Sequence, residues 1–525
     1  MFELENFKLL YPLLLIIPFL FLYFIKFSSS QTKKTCQSTS FEFPKAYPLI
    51  GHLLAVLKQK KDERFRWLTS LVHNSPNSTF VMHRPLGQKS ILTGNPANVQ
   101  HILKTRFPLY EKGPLHKTIL EDLLGDGIFN SDGDVWKFQR QVASHEFSTK
   151  SLRNFVETVV DIELSDRLIP ILSDAAKNQT VLDLQDILQR FTFDNICKIA
   201  FGYDPEYLSP SLPDAKFAVA FEDAVMISTQ RFRTFFPITW KIRRFLNIGS
   251  EKKLKEAVSE IRNFAKSLVS QKKQGMLKNL EGFHSSESDD LLSRFLKSGH
   301  SDENFVTDIV ISFILAGRDT TSSALTWFYW LLYKNKHVEE EIIKEINKNR
   351  GKQSNKTEHS SVLEEVKDMV YIHAALYESM RLYPPVPLDT KQANANDVLP
   401  DGTLVQKGSW VTYHPYAMGR MESIWGIDWA EYRPERWLEV GTGEVNWKFV
   451  PKDPYSYPVF QAGPRVCLGK DMAFLQMKRV VAGILERFRV VPVVDDGFEP
   501  VYIPNLTAKM QGGLQVRFEE RVSIE

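Results

Sequence analysis

The chain has 525 residues, 43% hydrophobic and 25% charged, which is ordinary for a globular protein long enough to bury a large core. A net charge of +3, without a basic stripe interleaved with aromatics, argues against nucleic acid as a partner. Three widely spaced cysteines, Cys36, Cys197 and Cys467, exclude a disulfide framework and an all-cysteine zinc site, and favour a reducing compartment.

Residues 9–25, LLYPLLLIIPFLFLYFI, carry no charge and sit at the short end of what a membrane span needs. No small-residue cleavage site follows, so an uncleaved anchor over residues 1–30 is expected. Glu3, Glu5 and Lys8 precede the run and Lys26, Lys33 and Lys34 follow it, which places the body on the cytosolic side. Sequons at Asn77, Asn178, Asn355 and Asn505 should then stay unglycosylated. Residues 31–60 read as a polar linker ending in FPKAYPLIGH, where Pro44, Pro48 and Gly51 predict a stiff, extended hinge. Residues 61–525 show no second linker and no repeat, so one large domain is expected.

Within that domain, Cys197 in FDNICKIAF reads as a core thiol. Residues 271–290 and 349–361 are polar and read as surface loops. Segment 302–335 is apolar nearly all round, which predicts a long buried helix, and 361–383 predicts another. Segments 404–414 and 512–520 read as short strands. The fold class expected is mainly α with small β-sheets.

Near the C-terminal end stands FQAGPRVCLGKDMAF, residues 460–474. A phosphate loop needs four residues between its glycines, but five separate Gly463 from Gly469. No histidine base for a nucleophilic cysteine is identifiable from the sequence. A metal thiolate fits better, because Cys467 stands just before the helical run 470–487, whose N-terminal amides favour a thiolate. Glycines on both sides allow a flat cofactor to approach, and Arg465 offers charge to an anionic group on it.

FQAGPRVCLGK resembles the haem-binding signature of the cytochrome P-450 superfamily, with Phe460, Gly463, Arg465, Cys467 and Gly469 at its positions. Other parts of that family's pattern follow in order: WKFQR (136–140), AGRDTT (316–321), ESMR (378–381) and YRPERW (432–437). The resemblance implies a P-450 fold, with haem b between a long distal helix and the cysteine loop. It implies Cys467 as the axial iron ligand, a thiolate that favours O–O cleavage. Trp136, Arg140 and Arg465 are implied as propionate partners, and Ala316 with Gly317 as the small residues beside the haem. Thr320 is implied as hydrogen-bonding partner of the activated oxygen, with Asp319 in a proton relay. The bland alternative for Thr320 is a hydroxyl bonded back to its own helix. Glu378, Arg381 and Arg436 are implied as a buried ion network supporting the loop.

Segments 126–157, 188–208, 313–332 and 416–438 are similar to plant fatty-acid ω-hydroxylases, a branch that also contains oxidases of jasmonoyl-amino-acid conjugates. The expected reaction is hydroxylation of the terminal carbon of medium- to long-chain fatty acids with O2 and NADPH-derived electrons, at the endoplasmic reticulum membrane. The alternative is ω-oxidation of jasmonoyl conjugates. A hydroperoxide-rearranging haem enzyme is disfavoured by the intact Ala316–Thr320 set, and a haem sensor is weaker still. No flavin- or NADPH-binding segment occurs, so an NADPH-cytochrome reductase is the expected partner. Lys470, Lys478 and Arg479 are candidate docking cations for it. Apolar pocket walls are expected at Phe129, Phe313, Val386, Leu388 and Leu506. Lys112, His116, Arg231 and Lys391 are candidates to meet the substrate carboxylate. FPKAYPLIGH lacks the doubled proline of many microsomal relatives, and chain length is not derivable from PPVPLDTK (384–391).

Overall fold

Segment 302–335 is a single inner helix in three parts: Glu303–Ile314, a π-helical turn at Leu315–Asp319, and Thr320–Lys334. The Asp302 side chain caps it by accepting the Asn304 N–H at 3.0 Å. Helices Leu184–Phe201, Gly249–Leu280 and Val370–Leu382 pack around it. Trp327 and Phe328 are therefore fully buried, which is why the segment can be apolar on every side. These relations come from a computed structural model that describes residues 41–60, 63–147, 149–213, 216–234, 236–280, 290–299, 302–354, 362–441 and 447–521.

The sheets are small and peripheral. The largest has the strand order Thr79–His83, Lys89–Thr93, Trp410–Tyr413, Asp389–Ala393 and Tyr110–Glu111. Its pairings are antiparallel except between Lys89–Thr93 and Trp410–Tyr413. A hairpin of Tyr502–Pro504 and Ala508–Met510 tucks its turn toward the inner helix. The mainly α architecture with small sheets matches the expectation from sequence.

Several boundaries differ from it. Residues 271–280 continue the helix Gly249–Leu280, and 349–354 continue Lys336–Ser354, rather than forming loops. Their lysines, glutamines and leucines are good helix formers, so polarity there did not mark a loop. Residues 281–289 and 355–361 lie outside the described residues. Segment 361–383 breaks at Met369, where ψ of 81° leaves the helical region, giving Val362–Asp368 and Val370–Leu382. Segment 404–414 divides into Leu404–Val405 and Trp410–Tyr413 around a turn with Gly408 at φ +84°. Cys197 is fully buried.

The anchor proposed at residues 1–30, and linker residues 31–40, lie outside the described residues. The proline segment after them is docked rather than extended. Tyr47 and Gly51 exchange backbone hydrogen bonds at 2.8 and 2.9 Å, and Phe43 stacks on Phe80 at 6.1 Å. A Cβ at Gly51 would lie 2.1 Å from the His83 carbonyl oxygen, so this contact admits only glycine. Among the described residues no helix is long and apolar enough to cross a membrane.

Candidate active site

The cysteine loop begins at the short helix Pro458–Phe460 and ends where Lys470–Arg487 starts. Its closure is a hydrogen bond from the Cys467 N–H to the Phe460 carbonyl at 2.8 Å. Phe460 is held by Phe474, ring centroids 5.3 Å apart. Cys467 keeps exposed surface, yet burial is the largest influence on its thiol and pushes its pKa up. The two agree if the sulfur faces an interior space instead of bulk water. The Gly469 N–H, Arg140 and Lys470 act the other way and favour a thiolate.

The glycines work differently from the expectation. Gly463 has φ +64°, and a Cβ there would lie 2.1 Å from the Leu103 carbonyl oxygen. The space its missing side chain leaves is thus taken by protein backbone, not kept for a flat cofactor. At Gly469 a Cβ would meet only Phe147 at an ordinary 3.5 Å, and the Gly469 amide bonds toward the Cys467 thiol.

Beneath the loop the structure brings Glu378, Arg381 and Arg436 together. Glu378 and Arg381 lie one turn apart on Val370–Leu382, both with 0% exposure. Arg381 donates to both Glu378 oxygens at 2.8 Å, and to the carbonyls of Trp429 and Glu431 at 2.7 and 2.9 Å. Arg436 Nε and Trp437 Nε1 add donors to the same carboxylate at 3.2 and 2.9 Å. Charges this deep are tolerated because so many of their hydrogen-bonding positions are filled. Tyr377, on the same helix, links the network to the loop by packing on Phe474 at 4.6 Å and Phe460 at 6.4 Å.

Beside the loop lies a cluster of cations. The Arg465 guanidinium stacks 4.4 Å over buried Trp136 and donates to Asp132 at 2.8 Å and to the Ser131 carbonyl at 3.0 Å. Arg140 sits 5.9 Å from the same ring and carries the charge that bears on Cys467. Lys112 and Lys391, expected at a substrate carboxylate, instead share Asp389 at 3.1 and 2.8 Å. Tyr413 and Gln461 also donate to Asp389, at 3.0 and 3.2 Å. Burial, reinforced by Lys112 and Arg465, lowers the Lys391 pKa to about 7. Arg140, Arg465, Lys112 and Lys391 face only Asp132 and Asp389 within this cluster, leaving a surplus of positive charge. A thiol facing interior space, with a cationic cluster to one side, fits a metal-bearing group with acidic substituents. The roles of Asp132 and Asp389 had no sequence signal, because Arg465 and Lys112, the cations that tie them into this cluster, lie 333 and 277 residues away from them.

On the opposite wall, the Thr320 hydroxyl donates to the Ala316 carbonyl at 2.6 Å, across the π turn. This is the bland alternative raised from sequence, but the hydroxyl oxygen still has lone pairs free to accept a donor. Asp319, 2% exposed, accepts from Arg318 at 2.8 Å and from the Thr507 hydroxyl at 3.2 Å. A π turn is a common functional device, because it re-aims side chains within an otherwise regular helix. Gly317 does not open space beside the site: a Cβ there would lie 2.6 Å from Ile196 on the neighbouring helix. Phe313 is buried, whereas Phe129, Val386, Leu388 and Leu506 keep accessible surface.

The remaining candidate cations are spent elsewhere. Arg231 is buried on Glu251 at 2.5 Å and Asp122 at 2.8 Å. His116 packs on Phe232 at 5.1 Å, and burial holds its pKa well below the usual imidazole range, so it is neutral. The docking cations are likewise engaged. Lys470 lies over the Tyr377 and Phe460 rings, Lys478 is buried on the Lys367 carbonyl at 3.3 Å, and Arg479 pairs with Asp161 at 2.5 Å.

A family model described as Cytochrome P450 matches residues 42–518. The chain is 60% identical over 480 residues to Cytochrome P450 94A1 of Vicia sativa, with 91% of each chain covered. It is 59% identical over 507 residues to Cytochrome P450 94A2 of the same plant, covering 96% of each. Cytochrome P450 94B3 of Arabidopsis thaliana is 46% identical over 511 residues, covering 97% of this chain and 98% of its own.

Proposed function

The chain belongs to the cytochrome P450 family, and from that premise we propose that it hydroxylates the terminal carbon of medium- to long-chain fatty acids. Family membership makes it a monooxygenase that uses haem and O2 with electrons from a reductase. We assign the haem as haem b and the electron source as an NADPH-cytochrome reductase. The overall reaction takes a C–H bond, O2, two electrons and two protons to C–OH and water.

When bound, the haem supplies oxygen activation at a thiolate-ligated iron. The protein's residues do the rest. Cys467 would hold the iron, and Trp136, Arg140 and Arg465 the acidic edge of the macrocycle, with Lys112 and Lys391 behind them. The Thr320 hydroxyl, its rotamer fixed by donation to the Ala316 carbonyl, would accept a hydrogen bond at the reacting side. Asp319, whose carboxylate accepts from Arg318 and Thr507, would serve in proton delivery toward it.

The observation that carries the terminal position is the polarity of the surroundings of Thr320. Phe313 and Leu506 are apolar, and Arg318 and Arg231 are already ion-paired with carboxylates. A substrate carboxylate brought there would lose its hydration without compensation. The alkyl end must therefore enter first, and positioning selects a terminal C–H bond over the weaker internal ones.

Attachment to the endoplasmic reticulum membrane, with the body in the cytosol, is part of the same proposal. Residues 9–25 support it, and so does the helix Ile238–Leu246, which leaves Ile238, Ile242, Phe245 and Leu246 exposed at 60, 51, 89 and 55% beside Lys241, Arg243 and Arg244. The test is a turnover panel with reductase and NADPH, comparing dodecanoic and oleic acids with jasmonoyl-isoleucine. Turnover of free fatty acids is expected. Turnover of the conjugate alone would replace the substrate assignment.

A further inference from the structure

The four cations expected to meet the substrate's acid end are occupied or neutral, so the recognition of that end must lie elsewhere. Two arginines that no motif singles out come together at the C-terminal hairpin. Arg233 follows the helix Lys216–Phe232 and donates from Nη2 to the Pro504 carbonyl at 2.8 Å. Arg64 opens the helix Arg64–Asn74, and its neighbour Phe65 stacks on Tyr502 of the same hairpin at 5.8 Å. Arg64 itself donates only to the Gln59 carbonyl, at 3.4 Å. Among the described residues neither arginine forms an ion pair with a carboxylate. Arg233 keeps exposed surface, and burial of part of the group, then the charge of Arg64, lower its pKa.

The same hairpin reaches inward. The Leu506 N–H donates to the Thr229 hydroxyl at 3.1 Å, and Thr507 reaches Asp319, the residue before Thr320. One short turn thus runs from an uncompensated pair of guanidinium groups, past an apolar side chain, to the oxygen-handling wall.

We infer that Arg64 and Arg233 form the clamp for the substrate carboxylate at the mouth of the pocket, with the hairpin turn lining the path of the alkyl chain to Thr320. Two like charges near one another repel, and a carboxylate between them converts that repulsion into charge-assisted hydrogen bonds. The clamp rests on the fatty-acid reading above and specifies how that substrate is oriented.

The test uses the haem-loaded full chain and calorimetric Kd values for dodecanoic acid and dodecanol, in the wild type, Arg64→Ala, Arg233→Ala, Arg233→Lys and the double alanine variant. Each alanine should weaken the acid about tenfold, and the pair up to about a hundredfold. The alcohol should bind all variants alike, and the lysine should retain most of the acid affinity. Because the alcohol reports on the pocket itself, a misfolded variant would show as loss of both ligands, and Arg233→Lys then decides. If the alanine variants keep the wild-type preference for acid over alcohol, the clamp is wrong while the fatty-acid reading stands. A wild type that turns over no fatty acid removes that reading and the clamp with it. Loss of binding to anionic phospholipid vesicles with an unchanged acid Kd would assign the pair to lipid headgroups and also overturn the inference.

Discussion

The two sides of the site are built on opposite terms. Beneath the cysteine loop the buried charges find their partners inside the protein: Glu378 takes donors from Arg381, Arg436 and Trp437. On the side proposed for substrate, Phe129, Val386, Leu388 and Leu506 keep accessible surface, and among the described residues Arg64 and Arg233 form no ion pair with a carboxylate. The first region is self-sufficient and so fixes a geometry. The second is incomplete by itself, which is how a binding region differs from a scaffold.

That contrast can be broken from the cysteine side first. Cys467→Ser should abolish the thiolate-type band of the reduced carbon-monoxide difference spectrum and, with it, essentially all hydroxylation. A wild-type protein without that band would refute the thiolate assignment. Next in size, Glu378→Ala leaves Arg381 and Arg436 as uncompensated buried charges and should cost about 3–5 kcal/mol of stability, read as a fall in Tm and in the haem-loaded fraction. On the substrate side, Thr320→Val should leave the Tm nearly unchanged while hydroxylation slows about a hundredfold, the usual scale for losing a positioned proton-handling group. An unstable Thr320→Val would mean that its bond to Ala316 is structural and would blur the distinction between the two sides.

Near neutrality the smallest effect is with pH, and it grows as the medium is acidified. His373 packs among Tyr377, Phe449 and Phe474, and burial lowers its pKa to about 3; burial does the same for His414. Both imidazoles are neutral when folded, whereas in the unfolded chain they protonate near 6.5. Below that value the unfolded state binds more protons. Their contribution to stability is therefore present above pH 6.5 and is lost as pH falls from 6.5 toward 3, by up to about 1.4 kcal/mol per pH unit for each. His373→Phe should flatten the acid limb of the Tm-versus-pH curve; an unaltered limb would contradict the assignment.

What was legible from sequence follows the same division. The cysteine loop, the Glu-x-x-Arg pair and the inner helix are local patterns: periodicity displays the helix, and the family resemblance picks out the other two. Contacts between distant residues were not legible. Nothing in the spacing joins Arg465 to Asp132, Lys112 to Asp389, or Arg233 to the hairpin at Pro504. The glycines show the same limit: Gly463 and Gly317 were correctly singled out as small, but what fills the space beside each, the Leu103 carbonyl and Ile196, depends on packing from other elements. Lysines read as a docking surface proved to be covering aromatic rings or buried, since a charge in a sequence does not reveal whether its stem is covered.

The central claim is that the incomplete side of the site admits the alkyl end first and presents its last carbon to Thr320. The direct measurement is the position of the new hydroxyl in products from dodecanoic acid, turned over by the full chain with reductase and NADPH. The account predicts oxidation at the terminal carbon as the dominant product. Products spread over internal carbons, or hydroxylation near the carboxyl group, would contradict it.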